Sequence, residues 1–341
     1  MENQEVVLVT GGLGYIGSHT VVELMQKGVE VIVVDDLSNS KIEILDQIEK
    51  IVGDRPTFYA FNIGDKDKLT AIFDAHKIQS VVHFAAHLLV DESVEKPLKY
   101  YRNNVSNLIN LLEVVQFFNC KEFIFSSSCT VYGEPNQLPV NESTPITTPK
   151  SPYGATKIMG EQILKDCVYS NAGLSVIALR YFNPVGAHKS GMLGELSQGT
   201  PKHLFPIINH SIEEDRPVLI FGDNYDTLDG TPVRDYIHVT DLALAHVSAL
   251  SKLRNLKNQY RAYNIGTGKG LSVKEIIQAY AEILNKPIKH EILSRRTGDA
   301  EKIWADVERA EKELNWKAKN GLKEMILSSL KWEETQKDLF S

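Results

Sequence analysis

Residues 6–17 read Val-Val-Leu-Val-Thr-Gly-Gly-Leu-Gly-Tyr-Ile-Gly, an apolar strand pattern that runs directly into a glycine-rich turn. From Gly12 the spacing is G-x-G-x-x-G, completed by Gly14 and Gly17. A helical apolar pattern over 15–25 follows at once, and a second apolar run, 29–34, closes on the acid Asp35. Each part has a mechanical reason. Glycines permit a tight turn and let the backbone approach a pyrophosphate, and the helix N-terminus offers free N–H groups and partial positive charge to that anion. A carboxylate at the tip of the second strand can accept hydrogen bonds from the adenosine ribose hydroxyls and repels a 2′-phosphate. The expected ligand is therefore a dinucleotide, NAD rather than NADP.

The first half keeps this rhythm. Strands are predicted near 6–9, 31–34, 57–61, 80–84, 122–126 and 175–180, with helices near 15–27, 65–76, 96–118 and 151–170. Short apolar strands alternating with helices require a parallel sheet covered on both faces. The expected fold class is α/β: a Rossmann-type, doubly wound parallel sheet with a smaller C-terminal substrate-binding cap. The rhythm breaks beyond Arg180, where 183–202 and 222–235 read as polar loops. Helices resume near 240–253 and 272–284, the second opening on Ser272 with Glu275 three residues on, a capping-box spacing. This divides the chain into a cofactor-binding domain, 1–180, and a mainly cap-forming domain, 181–341, some of whose segments can return to the sheet. Ligands of such sheets bind beyond the carboxyl ends of the strands.

Composition narrows the partners. The net charge of −7 argues against nucleic acid, and an anionic small substrate would need a local basic cluster. Cys120, Cys129 and Cys167 have no metal-ligand spacing and leave an odd thiol, which suits a reducing cytoplasm. The first strand begins too early for a secretory signal, and no apolar run reaches membrane-spanning length. The histidines show no metal-binding spacing either.

Two later segments carry chemistry. Ser126-Ser127-Ser128 ends the fifth apolar strand, and Tyr153-Gly-Ala-Thr-Lys157 opens the next helix. Positions i and i+4 share a helix face, so Lys157 lies beside Tyr153. A tyrosine titrates near 10 and is a poor base at neutrality. A neighbouring ammonium and a positive nicotinamide ring would both favour the phenolate. A serine hydroxyl at the strand end could hydrogen-bond the same substrate oxygen.

With these residues in view, the chain resembles the extended short-chain dehydrogenase/reductases and, among them, the UDP-glucose (UDP-galactose) 4-epimerases. The resemblance runs almost end to end, through Val-Thr-Gly-Gly-Leu-Gly-Tyr-Ile-Gly-Ser-His (9–19), Glu-Ser-Val-Glu-Lys-Pro-Leu (92–98) and Phe-Ser-Ser-Ser-Cys-Thr-Val-Tyr-Gly (125–133). It continues in Ser-Pro-Tyr-Gly-Ala-Thr-Lys (151–157), Arg-Tyr-Phe-Asn-Pro-Val-Gly-Ala-His (180–188), Val-Arg-Asp-Tyr-Ile-His-Val (233–239), Arg-Arg-Thr-Gly-Asp (295–299) and Trp-Ala-Asp (304–306).

The resemblance implies an NAD-dependent isomerase that epimerises carbon 4 of UDP-hexoses through a transient 4-keto sugar. Ser128, Tyr153 and Lys157 would be the catalytic trio, with Tyr153 as base. Gly11, Gly14, Tyr15, Ile16, Asp35, Asp36, Asn39, Ser40, Asn62, Ile63, Phe84, Ala85, Asn103 and Phe182 would contact NAD, together with that trio. Asn183, His203, Arg234, Arg296, Asp299 and Ile303 would meet the UDP-sugar alongside Ser128 and Tyr153, with the arginines on the diphosphate. No metal is implied. The family pairs the 96–118 and 151–170 helices across a two-fold axis, which implies a homodimer.

Four positions depart from the family pattern. Leu88 stands where many members have a lysine near the cofactor, so NAD retention is expected to be weaker. Asn62 replaces an aspartate that meets the adenine amino group, and its carbonyl can still accept. His203 replaces an asparagine beside the substrate. Ile303 replaces a tyrosine that walls the sugar pocket in strict hexose enzymes, which implies a wider pocket. A UDP-N-acetylhexosamine or UDP-pentose 4-epimerase is the alternative. A dehydratase of the same fold would carry Thr-Asp-Glu where this chain has Ser128-Cys129-Thr130, and a non-catalytic NAD-binding regulator would not keep Ser128, Tyr153 and Lys157.

Overall fold

Strand β1 (Val6–Thr10) enters the glycine turn, helix α1 (Tyr15–Gln26) leaves it, and β2 (Glu30–Asp35) returns parallel to β1. The chain then forms α2 (Ile44–Val52), β3 (Thr57–Ala60), α3 (Lys66–Ala75), β4 (Ser80–His83), α4 (Val90–Glu95), α5 (Pro97–Tyr101), α6 (Asn107–Phe117), β5 (Glu122–Ser128), α7 (Pro152–Tyr169) and β6 (Ser175–Tyr181). Past β6 come β7 (Asn183–Val185), α8 (Leu204–Glu213), β8 (Val218–Phe221), β9 (Val233–His238), α9 (Val239–Leu253) and β10 (Tyr260–Ile265). The last elements are β11 (Gly270–Ser272), α10 (Val273–Leu284), β12 (His290–Leu293), β13 (Lys302–Ile303), α11 (Glu308–Leu314) and α12 (Leu322–Leu339). This computed structural model describes residues 5–170, 173–196, 199–295 and 300–340.

Seven strands form one parallel sheet in the order β10-β6-β5-β4-β1-β2-β3. Burial on both faces is written into β1, where every residue is buried and alternate side chains enter different cores. Val7 and Val9 join a cluster with α1, α2 and α9, whereas Val6 and Leu8 join one with α3, α6 and α7. The chain winds outward from β1 in both directions, so the strand order reverses between β1 and β4 and opens a crevice above their carboxyl ends. The C-terminal half contributes β10 and α9 to this layer. Its remaining strands build a separate cap: β9 pairs with β7, β11 and β13, and β8 pairs with β12. The capping box on α10 is formed by both Ser272 and Glu275.

The single helix expected over 96–118 is instead three pieces. Between α5 and α6 the backbone widens into one π turn, Arg102–Ser106. Asn103 and Asn104 are weak helix formers whose amides compete for backbone partners. Asn104 uses its amide that way, accepting from His87 N and donating to His87 O, both at 2.9 Å. Such bulges gather at functional sites. Among the described residues, no helix is long and apolar enough to cross a membrane.

Candidate active site

Five parallel strands deliver the expected residues to one edge of the sheet: β1 ends at Thr10, β2 at Asp35, β4 at His83, β5 at Ser128 and β6 at Tyr181. At β1 the turn is made by backbone. Gly11 has φ +71°, and a Cβ there would lie 2.7 Å from Ala85 N. A Cβ on Gly17 would fall 2.2 Å from Gly11 O, so the helix can start this close to the strand only without a side chain. Gly14 caps α1 with no side-chain acceptor, and the first turn carries no acid. The leading N–H groups of α1 are thus left for an anion. A dinucleotide diphosphate fits this cradle.

Asp35 has two duties. Its carboxylate accepts from Leu13 N at 3.1 Å, Leu37 N at 3.0 Å and Ser40 Oγ at 2.8 Å, bracing the glycine turn against β2. Burial pushes its pKa up, against the pull of those hydrogen bonds. Asp36 accepts from Asn62 Nδ2 at 2.6 Å, and it lies exposed beside Asn39. The Asn62 carbonyl accepts from Gly64 N at 2.9 Å and Asn107 Nδ2 at 3.0 Å. Asn62 and Asn103 share a cavity of about 590 Å³ with His87, Lys99, Arg102 and Asn107. Ile63 is buried, Tyr15 and Ile16 stand half-buried at the helix start, and Phe84 and Ala85 follow β4. Leu88, beyond them, is exposed.

The three residues expected to be catalytic, Ser128, Tyr153 and Lys157, converge where β5 meets α7. Ser151 caps α7 by accepting from Gly154 N at 3.2 Å, which puts Tyr153 and Lys157 in the first turns. Ser128 is the last residue of β5, and its Oγ accepts from Thr130 N at 3.2 Å. Lys157 Nζ donates to Ser126 O at 2.7 Å and lies 5.7 Å from the Tyr153 ring centroid. Burial lowers the Lys157 pKa to about 8. Burial also pushes Tyr153 up to about 12, although a hydrogen bond with Ser128 pulls the other way. The protein alone therefore keeps the phenol protonated. A positive charge brought beside the phenol would shift this balance toward the phenolate.

Beneath the trio lies a buried polar network that sequence reasoning did not single out. Glu161 accepts from Ser127 Oγ at 2.6 Å and from Arg180 Nε and Nη2 at 2.9 and 2.7 Å. Arg180 Nη1 donates to Tyr132 Oη at 2.9 Å, and Tyr132 donates to Asn264 at 2.6 Å. Burial works against the charge on each ion, but the pairing prevails, holding Glu161 below and Arg180 above their ordinary values. This network locks β5, α7, β6 and β10 together under Ser128. The available signal was a pair of charges, Glu161 and Arg180, each inside an apolar pattern.

The cap supplies the opposing wall. Arg234 and Ile303 are neighbours in register on β9 and β13. Ile303 is buried in a cluster with Phe182, Val131 and Cys129, the residue after Ser128. The Arg234 guanidinium donates to Val233 O at 2.9 Å and Ala300 O at 2.6 Å. Asp235 accepts from Thr267 N, Gly268 N and Ala305 N, tying β9 to its surroundings. Asn183 opens β7, and His203 is the N-cap of α8. Arg296 and Asp299 lie outside the described residues.

The family described as NAD dependent epimerase/dehydratase matches residues 7–266. A UDP-glucose 4-epimerase of Yersinia enterocolitica is 49% identical over 329 residues, covering 96% of this chain and 97% of that protein. Among solved structures, the Stenotrophomonas maltophila UDP-glucose 4-epimerase with bound NAD and formylated UDP-arabinopyranose superposes with a TM-score of 0.95. It is 43% identical, covering 98% of this chain and 99% of that one. The Bifidobacterium longum UDP-glucose 4-epimerase in complex with NAD+ and UDP gives 0.94 at 44% identity, covering 98% and 100%.

Proposed function

The chain belongs to the NAD dependent epimerase/dehydratase family, and from that premise we propose that it is an isomerase that reversibly epimerises carbon 4 of UDP-hexoses, UDP-glucose and UDP-galactose. The observation that carries this reading is the meeting of Ser128, Tyr153 and Lys157 at one strand edge with a glycine cradle for a diphosphate. NAD, held at the glycine cradle of Gly11, Gly14 and Gly17, would supply hydride acceptance from carbon 4 and its return. Tyr153 takes the proton of the 4-hydroxyl as that bond to hydrogen breaks, leaving a ketone. Ser128 hydrogen-bonds the same oxygen, and Lys157 adds positive charge beside the phenolate. The 4-keto sugar then turns over in the site, so that the hydride would return to the opposite face of carbon 4 while Tyr153 gives the proton back to the oxygen. Anchoring must therefore fall on UDP, for which Asn183, His203, Arg234, Arg296 and Asp299 are the proposed contacts, with Ile303 walling the hexose. The proposed NAD contacts are those named from the resemblance, and the three free thiols suit the cytoplasm.

Incubation with UDP-galactose followed by chromatography should yield UDP-glucose. Tyr153→Phe should lower turnover by at least about 10²-fold while still binding NAD. Turnover near the wild-type rate in that variant would remove Tyr153 as the base.

A homodimer is part of the same proposal. Leu108, Leu112 and Val115 are buried in the core of this chain, whereas Leu98 on α5, Ile109 and Phe117 on α6, and Met159 and Tyr169 on α7 are exposed. Leu98 and Phe117 are 79% and 80% exposed, and they are the side chains proposed to meet a second copy. Light scattering on Phe117→Asp should report a smaller particle than the wild type.

A further inference from the structure

Glu195 has no part in the reading above, yet it stands between the two halves of the site. Its carboxylate pairs with Nδ1 of His203. Its charge also reaches Tyr15 in the cofactor turn, where burial first and Glu195 second hold the phenol protonated. Tyr15 in turn donates to Gly186 O at 2.6 Å, so the 186–196 segment grips the cofactor turn at one end and His203 at the other. That segment is seated on α12. Trp332 Nε1 donates to Glu195 O at 2.9 Å, and Lys331 Nζ donates to Lys189 O at 2.8 Å. A Cβ on Gly194 would lie 2.4 Å from the Trp332 ring, so the backbone comes this close only through glycine.

We propose that Glu195 is a positioning residue for the sugar nucleotide, holding His203 as a cation at the start of α8 toward the anionic diphosphate. The proposal rests on His203 being a substrate contact and deepens that reading. A cation at a helix N-terminus is opposed by the helix dipole, and the first turn of α8 carries no acid of its own. Glu195 supplies the missing negative charge from another segment. Although the His203 side chain is about half exposed, desolvation still disfavours its charge, while Glu195 favours it by hydrogen bond and by charge and Lys202 opposes it. Glu195 prevails, so the histidine titrates above its ordinary value. Substrate binding should then be strongest at low pH and weaken as pH rises through that raised pKa.

The test uses NAD-loaded Tyr153→Phe protein, in which turnover is blocked, titrated calorimetrically with UDP-glucose between about pH 6 and 8.5. The diphosphate diester of UDP-glucose keeps a constant charge there, so pH dependence belongs to the protein. Affinity should fall with rising pH. Glu195→Gln should move that fall to lower pH and weaken binding about three- to tenfold near neutrality, the scale of a partly exposed ion pair. His203→Asn should remove the His203 part of the profile, leaving only what Lys157 contributes, and adding Glu195→Gln to it should change nothing more, because the two act through one contact. A flat profile in the His203-containing protein overturns the proposal. So does an equal Glu195→Gln effect with and without His203. If UDP-glucose fails to bind at every pH, the substrate class itself is wrong and the proposal falls with it.

Discussion

In the turn between β1 and α1, the groups proposed to meet a ligand are backbone N–H groups, left open by glycines that lack side chains. At the β5–α7 corner the reverse holds. The proposed roles of Ser128, Tyr153, Lys157 and Ile303 run through side-chain atoms, and their placement depends on what packs beneath and behind them. The first region is specified by absences in one short segment. The second is assembled from β5, β6, β9, β10, β13 and α7, with a buried ion pair underneath. The difference teaches where each region tolerates change. A backbone cradle should fail when any atom is added, whereas a side-chain wall should change its preference and survive.

The strongest way to break the corner is from below. Glu161→Ala leaves Arg180 buried without its partner and should cost about 3–5 kcal/mol of stability, read as a lower urea midpoint. Glu161 is held below its unfolded value, so its contribution is present above that value and disappears as pH falls through the folded pKa. Unchanged stability would mean that the ion pair is not what holds the corner.

Acid should probe both regions together. Burial, above all, keeps His19 under the cofactor turn and His83 at the end of β4 neutral, with pKa values lowered to about 3. It lowers His188 and His246 to about 4. Their folded values lie below the unfolded one, so the stability they carry is complete above about pH 6.5 and drains away beneath it. Each can remove up to about 1.4 kcal/mol per pH unit. Tm should fall steeply from pH 6.5 to 5, before most carboxylates titrate, and a flat Tm there would contradict their burial.

The cradle and the wall then separate by single substitutions. Gly17→Ala puts a Cβ against Gly11 O and should cost about 1–3 kcal/mol while sharply weakening NAD binding. Intact cofactor affinity would show that the turn can open. Ile303→Tyr should leave the fold and UDP-galactose turnover largely in place. It should lower turnover of N-acetylated UDP-hexoses relative to UDP-galactose by about 1–3 kcal/mol. Equal effects on both substrates would mean that Ile303 does not face the sugar. The smallest change is expected from Leu88→Lys, a surface position, which should raise the NAD content of purified protein modestly and reduce its response to added NAD.

The amino-acid sequence by itself determined the parallel sheet, the glycine cradle, the acid at the tip of β2 and the Tyr153–Lys157 pair. All of these are local patterns: an apolar run, a turn that needs glycine, an i, i+4 spacing on one helix. Tertiary structure alone decided the rest. The widened turn at 102–106 forms because Asn104 finds both backbone groups of His87, a segment brought to it by the crossover from β4. Asn62 spends its carbonyl on Gly64 and Asn107, a commitment invisible until α6 packs against β3's loop. Glu161 meets Arg180, Ile303 meets Cys129, and Glu195 meets His203 across sequence gaps that no periodicity encodes. The physical reason is range. Backbone preferences act over a few residues, whereas a buried charge or an apolar wall takes its partner from whatever strand the fold lays beside it.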